Sequence, residues 1–257
     1  MPAAKIYQLS NRLNGKEFYR LKSYNYFMQT ILITGVDKGI GKALMEKFLA
    51  EGFFVIGIFL MNRPEEMENL ETFQMDLSSS ESIKNCVEET KKFLVESEKK
   101  IDILINNAGV MLDRNETILN SEKLRKSLEI NLIGPADFTE RMIDSMRSDE
   151  NGSHIINISS IAGSFAHVDS GTGRAPNFYP TYRISKAALN MYTNTLAERL
   201  RDQNVIVSSV HPGLTKTDMG GPEANQLPAE TALNIFKFAI SKPETGNFWF
   251  NGEKLTW

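Results

Sequence analysis

The stretch that decides the fold is Ile31-Leu32-Ile33, followed by Thr34-Gly35-Val36-Asp37-Lys38-Gly39-Ile40-Gly41 and by a helical pattern over residues 42–51. Three consecutive apolar residues are typical of a strand buried in a parallel sheet. A strand, a glycine-rich turn and a helix set backbone N–H groups and a helix N-terminus around a pyrophosphate. A Walker-type loop is excluded, because Ala43 stands where that motif has a magnesium-binding Ser or Thr.

Strands and helices alternate along the rest of the chain. The pattern predicts strands at 53–59, 72–75, 101–105, 154–158, 205–210 and 247–250, and helices at about 78–96, 121–147, 182–201 and 229–240. Gly134 and Pro135 lie inside the longest helical pattern and predict a kink there. This order predicts an α/β fold: a single Rossmann-type, doubly wound parallel β-sheet of about seven strands, with helices on both faces. Its ligand crevice lies at the carboxyl ends of the strands.

Composition narrows the class of protein. The chain has 257 residues, 41% of them hydrophobic, and a formal net charge of −3. A slightly acidic chain gives no reason to expect nucleic acid or a membrane surface as a partner, and no apolar run is long enough to span a bilayer. Cys86 is the single cysteine, which fits a reducing, cytoplasmic compartment. The three histidines lack metal-ligand spacing, so no metal site is expected.

The first 27 residues differ from the predicted domain at 28–257. They carry one acidic residue, Glu17, against Lys5, Arg12, Lys16, Arg20 and Lys22. They contain no apolar core of a secretory signal. Three interpretations of this extension stay open: an organelle transit peptide, an arm lying on the domain, and a start misassigned upstream of Met28.

A second informative stretch is Tyr182-Arg183-Ile184-Ser185-Lys186, at the start of an apolar helical run. Tyr182 and Lys186 are four residues apart, so they share one face of a helix. An ammonium beside a phenol favours the phenolate, and we therefore expect Lys186 to lower the pKa of Tyr182. Such a tyrosine moves a proton to or from a substrate oxygen near neutral pH. An incidental pair on a surface helix is the alternative.

The residues around the second strand bear on the choice of cofactor. An acid at the end of that strand favours NAD, whereas a basic group favours the 2′-phosphate of NADP. No acid occurs at 59–63, while Lys38 lies in the glycine turn and Arg63 just beyond the strand. NADP is therefore the predicted cofactor. NAD is the alternative, because the carboxylate of Asp37 would repel a phosphate, and Lys38 and Arg63 also fit ordinary surface charge.

Taken together, the motifs resemble those of the short-chain dehydrogenase/reductase family. They follow the family's order across residues 28–257: Thr34-Gly35-xxx-Gly39-Ile40-Gly41, Asp76-Leu77, Asn106-Asn107-Ala108-Gly109, Asn131, Ser159-Ser160, Tyr182-xxx-Ser185-Lys186 and Pro212-Gly213. Residues 212–219 and 245–250 resemble C-factor-like and carbonyl-reductase-like members. The resemblance implies an NAD(P)-dependent oxidoreductase that interconverts a carbonyl and an alcohol on a small, mostly apolar substrate.

The resemblance also implies a role for each matching residue. Tyr182 is expected to be the general acid/base, Lys186 to hold the nicotinamide ribose, and Ser160 to hydrogen-bond the substrate oxygen. Asn131 is expected to hold a water behind Lys186; capping of its own kinked backbone is the alternative. Besides Tyr182 and Lys186, the expected cofactor contacts are Gly35, Asp37, Lys38, Gly39, Ile40, Gly41, Arg63, Asp76, Leu77, Asn107, Ala108, Gly109, Pro212, Gly213, Thr215 and Thr217.

One feature departs from the family pattern. Ser160 and Tyr182 are 22 residues apart, more than is usual in the family. The added residues fall within Gly163 to Pro180 and predict a surface excursion that shapes the choice of substrate. The resemblance further implies a homodimer or homotetramer.

Two rival functions stay open. A dinucleotide-binding signalling or scaffold protein with little turnover is disfavoured by the intact set of Asn131, Ser160, Tyr182 and Lys186. A sugar-nucleotide epimerase or dehydratase is disfavoured by the glycine spacing.

Overall fold

The computed structural model describes residues 28–166, 178–221 and 223–257, and the backbone of two short strands nearer the N-terminus. These strands, β1 (Arg12–Leu13) and β2 (Lys16–Glu17), pair in antiparallel fashion. The other residues of the extension lie outside the described residues, as does 167–177, the middle of the predicted excursion. The division of the chain at residue 28 therefore stays a prediction.

One sheet dominates the described residues. Its strand order is β10-β9-β8-β7-β6-β3-β4-β5. Pairing is parallel throughout except between β9 and β10, which run antiparallel. The doubly wound parallel sheet is thus confirmed, with one strand more than the seven or so predicted. The strands are β3 (Thr30–Thr34), β4 (Phe54–Phe59), β5 (Leu70–Gln74), β6 (Ile101–Asn106), β7 (Ser153–Ile158), β8 (Val205–Val210), β9 (Asn247–Phe250) and β10 (Glu253–Leu255).

The additional strand, β10, has a clear signal in the sequence. Asn251-Gly252 forms the turn between β9 and β10, and both residues have positive φ, +49° and +82°. An Asn-Gly pair between two strands is the strongest short-range signal of a β-hairpin, because both positions of its tight turn need positive φ. The sequence prediction ended at residue 250 and overlooked this signal.

Helices cover both faces of the sheet. Side chains alternate along a strand: Ile31 and Ile33 pack in one core with Leu44 and Phe236, whereas Leu32 packs in the other with Phe138 and Leu196. The first core lies under α1 and α6 and the second under α2, α4 and α5. The helices of the described residues are α1 (Gly39–Ala50), α2 (Ser80–Glu96), α3 (Ser121–Leu128), α4 (Gly134–Met142), α5 (Pro180–Arg199) and α6 (Pro228–Ala239).

The long helix predicted over 121–147 is interrupted slightly earlier than expected. A π-helical turn over Glu129–Ile133 separates α3 from α4, and a 3-10 turn ends the segment at Ser145. Pro135 has no N–H, so it cannot donate the α-helical bond to the carbonyl of Asn131, which explains the irregular turn. Glycine is required at position 134, directly after the π-helical turn, because a Cβ there would lie 2.3 Å from the carbonyl oxygen of Leu77.

Candidate active site

The glycine-rich turn lies where the strand order reverses, between β3 and β6. Gly35 and Gly39 have positive φ, +74° and +60°. A Cβ on Gly41 would lie 2.0 Å from the carbonyl oxygen of Gly35. Helix α1 starts at Gly39. Among the described residues, no side chain caps this start, and its first turn contains no acidic residue. The first N–H groups of this helix lack a side-chain acceptor, and such a helix start after a tight glycine turn is suited to bind a phosphate; we call this turn the glycine cradle.

The loop after β6 closes the cradle from the side. The Asn107 side-chain amide donates to the carbonyls of Thr34 and Gly35, at 2.9 and 3.2 Å. The Thr34 hydroxyl accepts from the backbone N–H groups of Asn107 and Ala108, at 3.0 and 3.1 Å. Gly109 lies further along this loop, where a Cβ would be 3.0 Å from Asn131 Oδ1. The ends of β3 and β6 are thus held together directly beneath the turn.

An acid does lie at the carboxyl end of β4, although the sequence has none at 59–63. The Asp37 carboxylate accepts hydrogen bonds from the backbone N–H groups of Leu60, Met61 and Asn62, at 2.8 to 3.2 Å. The glycine turn delivers it there from outside the strand, so the sequence argument from residues 59–63 was incomplete.

The cations expected at the 2′-phosphate already have partners. Lys38 forms an ion pair with Asp218, and both side chains are mostly exposed. This contact raises the pKa of Lys38 and lowers that of Asp218. Arg63 donates from Nε to the Thr72 hydroxyl, at 3.0 Å. Both cations lie on the surface near the end of β4.

Asp76 and Leu77 follow β5 and face different surroundings. The backbone N–H and hydroxyl of Ser78 donate to Asp76, at 2.8 and 2.7 Å, and lower the pKa of its carboxyl. Leu77 is buried in the core and its carbonyl packs against Gly134. In the glycine turn, Ile40 is half-buried against the core under α1 and α6.

The loop after β8 folds back over the glycine turn. Gly213 directly after Pro212 has a φ of +84°. Thr215 is buried and its hydroxyl lies 2.7 Å from that of Thr231. The methyl group of Thr217 approaches Gly39, at 3.2 Å from the position of a Cβ. Thr217 therefore borders the crevice, whereas the Thr215 hydroxyl is held against α6.

Ser160 and Tyr182 meet at the carboxyl end of β7. The Ser160 side chain interacts with that of Tyr182 and lowers the pKa of its phenol, and the Ser160 hydroxyl accepts from the Ala162 N–H at 3.1 Å. Lys186 lies on the same face of α5, with Nζ 5.8 Å from the centre of the Tyr182 ring, and donates to the Ile158 carbonyl at 2.8 Å. The Ser159 hydroxyl points the other way and donates to Asn190 Oδ1 at 2.6 Å.

The expected effect of Lys186 on the tyrosine is wrong. Burial raises the pKa of Tyr182 to about 12, against a smaller lowering by Ser160. Burial also lowers the pKa of the Lys186 ammonium to about 8. Removal from water disfavours the charged form of both groups. At neutral pH the pair is therefore a neutral phenol beside a cation.

Asn131 is buried in the π-helical turn and points away from its own backbone. Its Oδ1 accepts from the Val110 N–H at 2.7 Å, and its Nδ2 donates to the Val110 carbonyl at 2.8 Å and to the Ser185 hydroxyl at 2.9 Å. The side chain thus ties the loop after β6 to α5. Pro135 cannot donate to the Asn131 carbonyl, because it has no N–H, and the expected role of Asn131 in holding a water stays a prediction.

Three charged residues at the site were not found by sequence reasoning. Asp113 is buried and bonds the backbone at the start of α5. Arg114 donates to the Met219 carbonyl at 2.9 Å, and Asp218 is the partner of Lys38. Asp113 follows Gly109 by four residues, so its place after a strand end was a usable signal. Nothing in the sequence pattern links Asp218 to Lys38.

Two features of the described residues bear on other classes of function. They contain no cluster of three or more His, Cys, Asp or Glu that could hold a metal ion. Across the same part of the chain, no helix is long and apolar enough to cross a membrane. Cys86 is buried, which raises the pKa of its thiol to about 12.

Comparison with known proteins agrees with this geometry. A family model described as short chain dehydrogenase matches residues 29–228. The 3-oxoacyl-acyl-carrier-protein reductase FabG of Aquifex aeolicus is 33% identical over 223 residues, covering 83% of this chain and 84% of that protein. Two other relatives are longer than this chain: the match covers 69% of retinol dehydrogenase 13 of Homo sapiens and 65% of dehydrogenase/reductase SDR family member 9 of Bos taurus.

Solved structures are similar over nearly the whole described fold. The carbonyl reductase Sniffer of D. melanogaster superposes with a TM-score of 0.79 at 26% identity, covering 90% of this chain and all (100%) of that one. A structure described as a short-chain dehydrogenase/reductase from Burkholderia multivorans with bound NADP has a TM-score of 0.76 at 25% identity, with 90% and 100% coverage. The chain therefore belongs to the short-chain dehydrogenase family of oxidoreductases.

Proposed function

We propose that this protein is an NADPH-dependent carbonyl reductase acting on a small, mostly apolar substrate. The observation that carries the proposal is the pairing of Ser160 and Tyr182 beside Lys186, at the crevice edge that also holds the glycine cradle. Gly35 and Gly41 let the turn pack closely against itself and the loop after β6, because a Cβ at Gly41 would lie 2.0 Å from the Gly35 carbonyl oxygen, and this close packing supports a turn that holds the dinucleotide pyrophosphate. A bound nicotinamide supplies the hydride.

The residues of the chain have separate tasks in this reaction. The Ser160 hydroxyl binds and orients the substrate oxygen, and Tyr182 delivers a proton to it. Lys186 holds the ribose and keeps positive charge behind the phenol. Burial raises the pKa of Tyr182 to about 12, so the phenol carries at neutral pH the proton that reduction requires. The Asn131 carbonyl would hold a water that resupplies the proton.

The cofactor preference rests on two cations and one competing anion. Lys38 and Arg63 are exposed near the end of β4, and a similar structure is described with bound NADP. A phosphate in this place gains charge-assisted hydrogen bonds from both. Asp37, which bonds the N–H groups at the end of β4, instead favours a ribose hydroxyl and hence NAD.

The remaining proposed cofactor contacts follow the crevice. Gly39, Ile40 and the N-terminus of α1 would hold the pyrophosphate, with Thr217 on the opposite side. The other members, placed by resemblance to the family, are Asp76, Leu77, Asn107, Ala108, Gly109, Pro212, Gly213 and Thr215. Exposed Phe165, Leu214 and Met219 support an apolar substrate.

Two further expectations stay predictions. A homodimer or homotetramer is supported by the apolar side chains of Ile184 and Met191, which are exposed on α5. A cytoplasmic location rests on the single cysteine alone.

Titration of the purified protein with NADPH and NADH tests the function, followed by a screen of carbonyl compounds with the cofactor that binds. Thermal stabilisation reports binding, since a ligand of the folded state adds about 2.7 kcal/mol at a hundredfold excess over Kd. Preferential NADPH binding with turnover is the expected result. Preference for NADH would mean that Asp37 binds a ribose hydroxyl of the cofactor. Binding of either cofactor without turnover would favour the scaffold function.

A further inference from the structure

A buried carboxylate holds the first turn of the helix that carries Tyr182. Asp113 is 1% exposed, and its Oδ2 accepts a 2.6 Å hydrogen bond from the backbone N–H of Thr181. Thr181 directly precedes Tyr182, whereas Asp113 lies in the loop after β6. We propose that Asp113 is a positioning residue for the reaction: it caps α5 and thereby holds the Tyr182 hydroxyl against Ser160. This inference rests on the proposed function and deepens it.

Helix α5 lacks a cap of its own. Its first residue is Pro180, which has no N–H, and the residue before it, Tyr179, has a φ of +49° and makes no side-chain capping bond. The first N–H groups of a helix need an acceptor from elsewhere. A carboxylate is the strongest acceptor available and is favoured at the positive end of a helix.

The burial of Asp113 is otherwise hard to explain. Its Oδ1 is buried and has no hydrogen-bond partner among the described residues. A buried carboxylate with half of its acceptor capacity unused destabilises a fold unless its remaining contacts are strong. Among the described residues, the Thr181 N–H is the one hydrogen-bond donor to this carboxylate, so there the carboxylate acts chiefly on the start of α5.

The same loop connects α5 to the rest of the site. The Tyr179 N–H donates to the Glu116 carbonyl at 2.9 Å, and Asn131 binds both backbone groups of Val110. The loop after β6 therefore contacts the glycine cradle, the π-helical turn and Thr181, the residue before Tyr182. Loss of the Asp113 contact would let the first turn of α5 shift while the cofactor cradle stays in place.

Kinetics of Asp113→Ala and Asp113→Asn test the proposal in the full-length protein. A shift of about 1 Å in a reacting group lowers the rate by up to about a hundredfold. We expect Asp113→Ala to lower kcat by roughly ten- to a hundredfold while the Kd for NADPH changes by less than about twofold. Asp113→Asn keeps an acceptor oxygen for the Thr181 N–H, so it should recover most of kcat.

Asn120→Ala is the matched control. Asn120 caps α3 by accepting from the N–H groups of Glu122 and Lys123, both at 3.0 Å. Its loss should lower the melting temperature and leave kcat within about twofold. An equal loss of kcat in this control, or no rescue in Asp113→Asn, would overturn the positioning role. So would an Asp113→Ala variant with wild-type kcat.

Hydrogen exchange separates this inference from the proposed function. Asp113→Ala should speed exchange of the amides at 181–185 and leave those of α1 unchanged, whether or not a substrate is known. Unchanged exchange at 181–185 would refute the cap. If Asp113→Ala fails to fold, Asp113→Ser replaces it. Serine keeps a polar group in the site, but its side chain is too short to reach the Thr181 N–H. Absence of turnover in the wild type would count against the reductase function alone.

Discussion

The two ends of the crevice are built in opposite ways. At the catalytic end, Tyr182 and Lys186 are buried and both pKa values are displaced by burial. At the end proposed for the adenosine, Lys38 and Asp218 are exposed and form an ion pair. The ion pair engages Lys38, the cation proposed to bind the 2′-phosphate. The proposed reaction geometry is thus held by packing and buried hydrogen bonds, whereas the proposed cofactor preference depends on exposed surface charges.

This difference orders the expected effects of substitution. Changes at the buried end remove interactions that water cannot replace. Changes at the exposed end alter charges that solvent and salt already screen. The expected effects therefore decrease from the buried end to the exposed end, and a reversed order of sizes would break the contrast.

The largest effect is expected for Tyr182→Phe. The variant lacks the hydroxyl that interacts with Ser160, which is the proposed proton donor, so kcat should fall roughly a hundred- to ten-thousandfold. The ring stays in place, and the Kd for NADPH should stay within about twofold of wild type. Steady-state kinetics and a fluorescence titration measure the two quantities. Wild-type turnover in this variant would remove Tyr182 from the reaction.

Gly41→Ala should act on the cofactor instead. Its Cβ would lie 2.0 Å from the Gly35 carbonyl oxygen and 2.5 Å from Asn107 Nδ2, so the cradle must open. Overpacking of this kind typically destabilises a fold by about 1–3 kcal/mol, and the Kd for NADPH should rise at least about tenfold, since the N–H groups no longer converge. Gly52→Ala is the control: its φ is +85°, but nothing lies within 4 Å of its Cβ. It should lower stability without changing the Kd.

The pH dependence of reduction should follow Lys186. Its ammonium, with a pKa near 8, is present below that pH and is lost as the pH rises, whereas Tyr182 keeps its proton to about pH 12. The kcat should therefore be level near pH 7 and fall by roughly tenfold per pH unit well above pH 8. The Cε resonance of labelled lysine gives the pKa in the free protein. A midpoint above pH 10 would contradict the effect assigned to burial.

How much the sequence could predict follows the same division. The proximity of the proposed catalytic residues was predictable, because Tyr182 and Lys186 lie one helical turn apart and Ser160 follows a strand, so local spacing and strand order suffice to bring them together. The acid at the end of β4 was not, because Asp37 reaches Leu60 from a turn 23 residues away. Lys38 and Asp218 are 180 residues apart. Contacts between loops depend on their exact path, which hydrophobic periodicity does not encode.

The sign of the effect at Lys38 and Asp218 is the finest test of the exposed end. If Lys38 binds the 2′-phosphate, Lys38→Ala should weaken NADPH binding roughly tenfold and leave NADH binding unchanged. Asp218→Asn should do the opposite: it frees Lys38 from its present partner and should tighten NADPH binding by up to about fivefold, less at high salt. Isothermal titration with both cofactors at two salt concentrations measures this. Weaker NADPH binding in Asp218→Asn would mean that the ion pair supports the cradle by holding the loop after β8 over Gly39, and that Arg63 is then the cation left to meet the phosphate.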